Sequence, residues 1–194
     1  GRAGASVCGM SAPSLTVLKL IQTISERLDA AGLSPADGFG HGTQTAFDEA
    51  AWLVMWRLGL PLDDLDGVAE RVVSAEQASQ VSALVEERIR TRQPAAYLTR
   101  EAWLQGVPFY VDERVIVPRS YIADLLFTSV TGDEGVPLID DPSSILRVLD
   151  LCTGSGCLAI LAAQLFENAV IDAVDLSKDA LEVAKINVKQ HNLE

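Results

Sequence analysis

The sequence has few of the residues on which metal sites and disulfide frameworks depend. It contains three cysteines and two histidines among 194 residues. Cys152 and Cys157 have no neighbouring histidine or cysteine at the spacing of zinc ligands. We therefore expect neither a metal site nor a disulfide framework, and the odd, low cysteine count favours a reducing, cytoplasmic compartment.

Long apolar runs and basic side chains are also scarce. No stretch approaches the roughly 20 apolar residues that a membrane-spanning helix requires, so we expect no membrane span. Lys and Arg number 15 against 27 Asp and Glu, which gives a net charge of −12. Binding to nucleic acid depends on basic side chains that neutralise phosphates, so we expect no direct nucleic-acid contact. The charge is compatible with a basic protein partner, and equally with acidity that serves only solubility.

The apolar pattern divides the chain into three parts. Helical periodicity predicts a small helical domain over residues 11–93. Pro94 ends that pattern, and residues 94–118 predict a hairpin linker or pair of strands that turns at Gly106, with the second strand from Phe109 to Val117. Residues 119–194 contain a strand–helix–strand–helix order. The predicted fold class is α/β, with an N-terminal helical domain, a short β-hairpin linker and the first part of a Rossmann-like sheet.

Local signals place two helices of the first domain. Thr45 with Asp48, and Ser74 with Gln77, have the spacing of capping boxes that open helices. The helix after Thr45 is expected to bury one apolar face. That face is predicted to contain Phe47, Ala51, Val54, Met55 and Leu58.

Residues 148–160 carry the strongest chemical signal in the chain. They predict a buried strand, a turn with Gly154 and Gly156, and a helix that begins near Ser155 and points free N–H groups at an anion. A second strand ends at Asp175, about 20 residues after the turn. That carboxylate can accept both hydroxyl hydrogens of a ribose, and Leu176 can pack on a base. The pattern therefore predicts a nucleoside-containing cofactor.

Two cofactors compete for this motif. Gly154, Gly156 and Ala159 satisfy a loose dinucleotide fingerprint, which on its own is weak. The alternative is S-adenosylmethionine (AdoMet), whose methionine ammonium suits an acid just before the turn. Asp150 occupies that place and would repel a pyrophosphate. Asp150 therefore favours AdoMet.

Three segments together resemble one family. They are Arg92–Thr99, Phe109–Ser120 and Asp150–Cys157. The family comprises class I AdoMet-dependent methyltransferases that modify a glutamine side-chain amide on translation proteins. One branch acts on peptide release factors and the other on ribosomal protein L-three of the large subunit. Cys152, where the release-factor branch usually has glycine, and Ser120–Tyr121 after Pro118–Arg119 favour the ribosomal-protein branch.

The resemblance implies a site and a role for each part of the chain. Residues 119–194 would form the N-terminal part of the methyltransferase domain, and the helical domain would help dock the protein substrate. The implied AdoMet contacts are Asp150, Cys152, Thr153, Gly154, Ser155, Gly156, Asp175 and Leu176.

One family feature has no counterpart in this sequence. The catalytic signature Asn-Pro-Pro-Tyr is absent, because no Pro-Pro pair occurs. The resemblance therefore implies that the sequence stops before that motif, and no catalytic residue is identified. We predict that the 194 residues alone do not transfer a methyl group. Three alternatives remain open: a release-factor methyltransferase, a dinucleotide-dependent oxidoreductase, and a non-catalytic module that docks a translation protein.

Overall fold

The computed structural model describes residues 14–33, 45–119, 121–132 and 138–193. Within these residues a group of helices is followed by a hairpin and then by a strand–helix–strand–helix unit, so the predicted α/β class is confirmed. The domain boundaries remain a prediction. The elements are α1 (Val17–Ala30), α2 (Ala46–Arg57), α3 (Leu65–Val68), α4 (Ala75–Thr91), α5 (Ala95–Thr99), β1 (Glu101–Leu104), β2 (Val107–Tyr110), α6 (Tyr121–Thr131), β3 (Arg147–Leu151), α7 (Cys157–Leu165), β4 (Val170–Val174) and α8 (Lys178–Gln190).

Side chains at the helix starts explain where α2 and α4 begin. Both predicted capping boxes are confirmed, at Thr45–Asp48 and at Ser74–Gln77. Arg92, whose φ is 57°, follows the last residue of α4 and caps the helix. The Arg92 guanidinium donates to the carbonyl oxygens of Ala31 and Gly32, at 3.1 Å each. It thereby satisfies carbonyls beyond the end of α1 and holds two helices together.

The buried face of α2 differs from the prediction. Phe47 is 36% exposed, and Ala51 and Leu58 are only half-buried, whereas Glu49 is fully buried. The residues that α2 buries are Ala46, Glu49, Ala50, Leu53, Val54 and Met55. α2 packs against both α1 and α4, so two sides of the helix are covered. Glu49 accompanies the apolar side chains because it forms an ion pair with Arg88 of α4.

The hairpin is confirmed, but its second strand is shorter than predicted. β1 and β2 pair antiparallel with Glu101 opposite Tyr110. Gln105 and Gly106 both have positive φ, as a two-residue hairpin turn of type I′ requires. The expected strand through Val117 is wrong, because the chain turns after Asp112. The Asp112 carboxylate accepts the Arg114 N–H at 3.0 Å, which favours a turn over an extended strand.

β3 and β4 form a parallel pair with Arg147 opposite Val170, and α7 connects them. β3 was expected to be buried, but Leu149 is 58% exposed and Leu151 is 67% exposed. That expectation is wrong for the described residues, because α7 packs on the two strands and leaves the side chains of the other face open to solvent.

Over the described ranges, every helix is too short or too polar to cross a membrane.

Candidate cofactor site

The loop between β3 and α7 is held against the end of β4. The Thr153 N–H donates to the Val174 carbonyl at 3.0 Å, and the Gly156 N–H donates to the Thr153 carbonyl at 2.9 Å. The Gly154 N–H donates to Asp175 Oδ2 at 2.9 Å. The carboxyl ends of parallel strands meet at one edge of a sheet. The structure therefore brings Gly154 and Asp175 together, as the sequence pattern suggested.

Asp175 has a second function that the sequence did not predict. Its Oδ1 accepts the Ser177 N–H at 2.9 Å while Oδ2 holds Gly154. These N–H groups of Ser177 and Gly154 lower the pKa of the Asp175 carboxyl, so the group is ionised at neutral pH. Each carboxylate oxygen has a further lone pair, which leaves Asp175 able to accept ribose hydroxyls.

Asp150 lies at the end of β3 beside the same loop. The buried Thr153 hydroxyl donates to Asp150 Oδ2 at 2.6 Å. This bond fixes the carboxylate where the chain leaves the sheet. The remaining lone pairs of Asp150 suit a cationic amine, which agrees with the chemistry expected for a methionine ammonium.

The two glycines of the loop serve different purposes. Gly156 has φ +81°, and a Cβ built there would lie 3.2 Å from the Ala184 Cβ of α8. Gly154 has φ +57°, and a Cβ there would meet nothing within 4 Å. Gly156 thus permits close packing of loop and helix, while Gly154 leaves its outer side open to a ligand. The loop accordingly fits a cofactor that approaches the backbone closely.

The other predicted contacts are distributed around this loop. Leu176 is fully exposed beside Asp175, and Ser155 is buried. Cys152 is exposed, whereas burial raises the pKa of the Cys157 thiol and keeps it protonated. Within the described ranges, no group of three or more His, Cys, Asp or Glu is arranged to hold a metal ion.

Cys152 adopts a backbone conformation that favours glycine. Its φ is 60°, which costs an L-residue about 1–2 kcal/mol. We expect Cys152→Gly to raise the free energy of unfolding by about 0.5 kcal/mol, since the relieved strain exceeds the entropy that glycine adds to the unfolded chain. Urea unfolding measures this. Cys157→Gly, in the first turn of α7, is the matched control and should lower stability; equal effects of the two changes would contradict the explanation.

Asn187 of α8 is a residue of this site that the sequence analysis missed. It is fully buried, and its Nδ2 donates to the Ser155 carbonyl at 2.8 Å. A signal was available: α8 buries Ala180, Val183, Ala184 and Asn187, so an amide lies within an apolar stripe. A buried amide needs hydrogen-bond partners, and its position on α8 predicts that they lie in neighbouring elements.

A cavity of about 420 Å³ lies elsewhere, between α7, β4 and the end of α8. Its lining includes Ile160, Phe166, Val170 and Val188 but none of residues 150–156. The residues predicted to bind the cofactor therefore line a different surface.

This geometry, a glycine loop closed by an acid at the next strand end, is typical of nucleoside-binding α/β domains, and sequence comparison identifies the class. Residues 142–194 match the family described as a methyltransferase domain, and residues 39–99 match the PrmC N-terminal domain. The chain therefore matches two family models, the PrmC N-terminal domain in its first half and a methyltransferase domain at its end.

Similarity to individual proteins is more specific. The chain is 51% identical over 94% of its length to a ribosomal protein uL3 glutamine methyltransferase of Burkholderia pseudomallei. Proteins of the same name from Bradyrhizobium diazoefficiens and Bordetella pertussis are 49% and 50% identical over 93% and 92% of the chain. The chain is thus a relative of the uL3 glutamine methyltransferases, and the resemblance inferred from its motifs is confirmed. It spans 56%, 56% and 57% of the length of these three relatives.

Proposed function

We propose that this chain holds AdoMet in an enzyme that methylates the side-chain amide of a glutamine in ribosomal protein uL3. The observation that carries the proposal is the closure of the glycine loop by Asp175, with Gly154 bonded at 2.9 Å and Asp150 beside the same loop. The names of the relatives supply the substrate, which the loop geometry alone does not specify.

Each residue of the loop has a stated task in this proposal. Asp175 accepts ribose hydroxyl hydrogens and so orients the nucleoside, while Leu176 packs on the base. Asp150 holds the ammonium group, and the first N–H groups of α7 face the carboxylate. AdoMet, when bound, supplies a methyl group on a sulfonium, so no metal or strong base is required. The remaining residues shape the loop so that the methyl carbon is held in one place.

Methyl transfer to an amide requires more than a held cofactor. The substrate amide nitrogen would have to accept the methyl group that AdoMet supplies, and it would give up one of its hydrogens as a proton. The lone pair of that nitrogen is delocalised into the carbonyl, so fixed acceptors must hold its hydrogens and aim it. The signature Asn-Pro-Pro-Tyr that would supply these acceptors has no match in the sequence. We therefore assign cofactor binding to these residues and methyl transfer to the whole protein.

The protein substrate would meet an acidic surface. The net charge of −12 suits a basic partner such as a ribosomal protein, and the helical part, which contains the match at 39–99, is the proposed docking region. A substrate of this kind is also consistent with the expected cytoplasmic location.

Calorimetry with S-adenosylhomocysteine tests the cofactor assignment. We expect the chain to bind S-adenosylhomocysteine and not NAD, whose pyrophosphate Asp150 would repel. Binding of NAD alone would overturn the proposal in favour of a dinucleotide enzyme.

Labelled AdoMet tests the reaction and the substrate. The whole protein is expected to label uL3 and not a release factor, whereas the 194 residues alone are expected to label neither. Capture of uL3 by the whole protein without any labelling would favour the non-catalytic docking module. Labelling of the release factor in place of uL3 would assign the protein to the other branch.

A further inference from the structure

The side chain of Asn187 joins three segments that are far apart in sequence. Its Oδ1 accepts the Tyr110 N–H at 2.7 Å, and its Nδ2 donates to the Tyr110 carbonyl at 2.9 Å and to the Ser155 carbonyl at 2.8 Å. An amide has two N–H donors, and both are used. The orientation of the amide is fixed, because a flipped amide would direct its NH₂ at the Tyr110 N–H. The side chain is fully buried, so water does not substitute for these partners.

These bonds add a restraint to a loop that backbone hydrogen bonds at Thr153 and Gly156 already hold against β4. Ser155 lies between two glycines with positive φ, and glycine populates many backbone conformations. Asp175 holds the Gly154 N–H on one side of the loop, and Asn187 holds the Ser155 carbonyl on the other. Two side chains from outside the glycine loop therefore hold its central part, in addition to the backbone bonds at Thr153 and Gly156.

The same amide attaches the loop to the hairpin. Asn187 bonds both backbone groups of Tyr110, as the peptide group of a neighbouring strand would. One turn further along the helix, His191 Nε2 lies 2.9 Å from the Pro108 carbonyl and must donate, since a carbonyl oxygen only accepts. The rings of Phe109 and His191 are in contact, with centroids 5.4 Å apart. β2 is thus seated on α8 by side chains spaced one helical turn apart.

We propose that Asn187 is a positioning residue of the cofactor site, and that it makes the shape of the glycine loop depend on the seating of the β1–β2 hairpin. Through the Ser155 carbonyl, Asn187 fixes the turn at Gly156 and hence the direction of the first N–H groups of α7. The proposal rests on the proposed function, since the loop must bind a cofactor for its shape to matter. Asn187 and the β1–β2 hairpin thereby become part of the cofactor-binding site, although both lie outside the glycine motif.

The exposed thiol of Cys152 provides a readout of loop shape that needs no cofactor. Cys152 lies in the loop and is accessible, while Cys157 is buried, so peptide mapping after alkylation separates their rates. In Asn187→Leu, which keeps the number and branching of side-chain heavy atoms and removes all three bonds, we expect the alkylation rate of Cys152 to rise severalfold. We also expect the Kd for S-adenosylhomocysteine to increase at least tenfold, with the far-ultraviolet circular dichroism unchanged.

Asn168→Leu is the matched control. Its Nδ2 also donates to a carbonyl, that of Ser143 at 3.0 Å, but at the opposite end of the two strands. This control is expected to leave the Cys152 rate and the Kd unchanged. His191→Leu removes the Pro108 bond but keeps the amide bonds, so its effect should fall between the two. A folded Asn187→Leu chain with the original Cys152 rate and the original Kd would overturn the proposal.

Asn187→Asp tests the same bonds if the leucine variant does not fold. At neutral pH its carboxylate donates nothing and faces two carbonyl oxygens, so binding should be weak. Protonation restores one donor, and the affinity for S-adenosylhomocysteine should rise as pH falls from 7 to 5.5, relative to the unsubstituted chain. A parallel pH dependence in both chains would overturn the proposal. If the unsubstituted chain binds no S-adenosylhomocysteine, the proposed function fails, while the Cys152 rates still decide whether Asn187 sets the loop.

Discussion

Replacing Arg88 with methionine is expected to lower the free energy of unfolding by about 3–5 kcal/mol. Arg88 Nε lies 2.7 Å from Glu49 Oε1, and both side chains are 0% exposed. The substitution leaves the Glu49 charge buried without its partner, which costs more than the pair contributes. Domains are stable by only about 5–15 kcal/mol, so the substitution would remove a large fraction of the free energy of unfolding.

The pH dependence of this variant has a definite sign. Burial already raises the pKa of the Glu49 carboxyl, and the Arg88 guanidinium opposes that rise. Without Arg88 the folded-state pKa is higher still, so the folded chain binds a proton that the unfolded chain has released. The stability of Arg88→Met should therefore be greatest below the unfolded-state value of about 4.3, and should fall as pH rises through the folded-state pKa. Urea unfolding at several pH values measures this.

Two controls separate the lost partner from the lost volume. The double change Glu49→Leu with Arg88→Met removes both charges and should restore most of the stability. Arg90→Ala breaks an exposed ion pair in which Arg90 Nη2 lies 2.6 Å from Glu87 Oε1. This change should alter the free energy of unfolding by less than about 0.5 kcal/mol. An Arg88→Met chain within about 1 kcal/mol of the original would show that the buried pair has little importance.

Asp175→Ala is expected to weaken binding of S-adenosylhomocysteine by about 100-fold. Two hydrogen bonds from ribose hydroxyls to a charged acceptor contribute about 1.5 kcal/mol each, which together correspond to about that factor. The loop also loses the acceptor that holds the Gly154 N–H. Calorimetry at pH 7 measures the change.

Asp172→Ala is the matched control for Asp175→Ala. Asp172 lies on β4, which ends just before Asp175. It is exposed and pairs with Arg147 at 2.9 Å, so its removal should leave the affinity unchanged. The lowered pKa of Asp175 predicts that its loop bonds are complete above the unfolded-state value of about 3.9 and are lost as pH falls through the lower folded-state value. Equal affinities of Asp175→Ala and the unsubstituted chain would remove Asp175 from the site.

Features that depend on neighbours in sequence were predictable. The capping boxes at Thr45 and Ser74, the hairpin turn at Gly106 and the strand–turn–helix around Gly154 and Gly156 were all predicted and are present. Each is decided by residues within a few positions of one another, because a cap or a turn satisfies backbone groups locally. The order of strands and helices also placed Asp175 at the glycine loop, since adjacent parallel strands end at the same edge.

Contacts between residues distant in sequence were decided by the tertiary structure alone. The burial of Glu49 depends on Arg88, which lies on another helix, and its charge argued for an exposed position. The second strand of the hairpin ends early because of Asp112, and the exposure of Leu149 depends on which face of the sheet α7 covers. Asn187 is bonded to Tyr110 and Ser155, which lie 77 and 32 positions away. Local pattern thus determined the elements and the cofactor motif, while packing determined which polar groups are buried, because a buried polar group is stable only where the fold brings its partner.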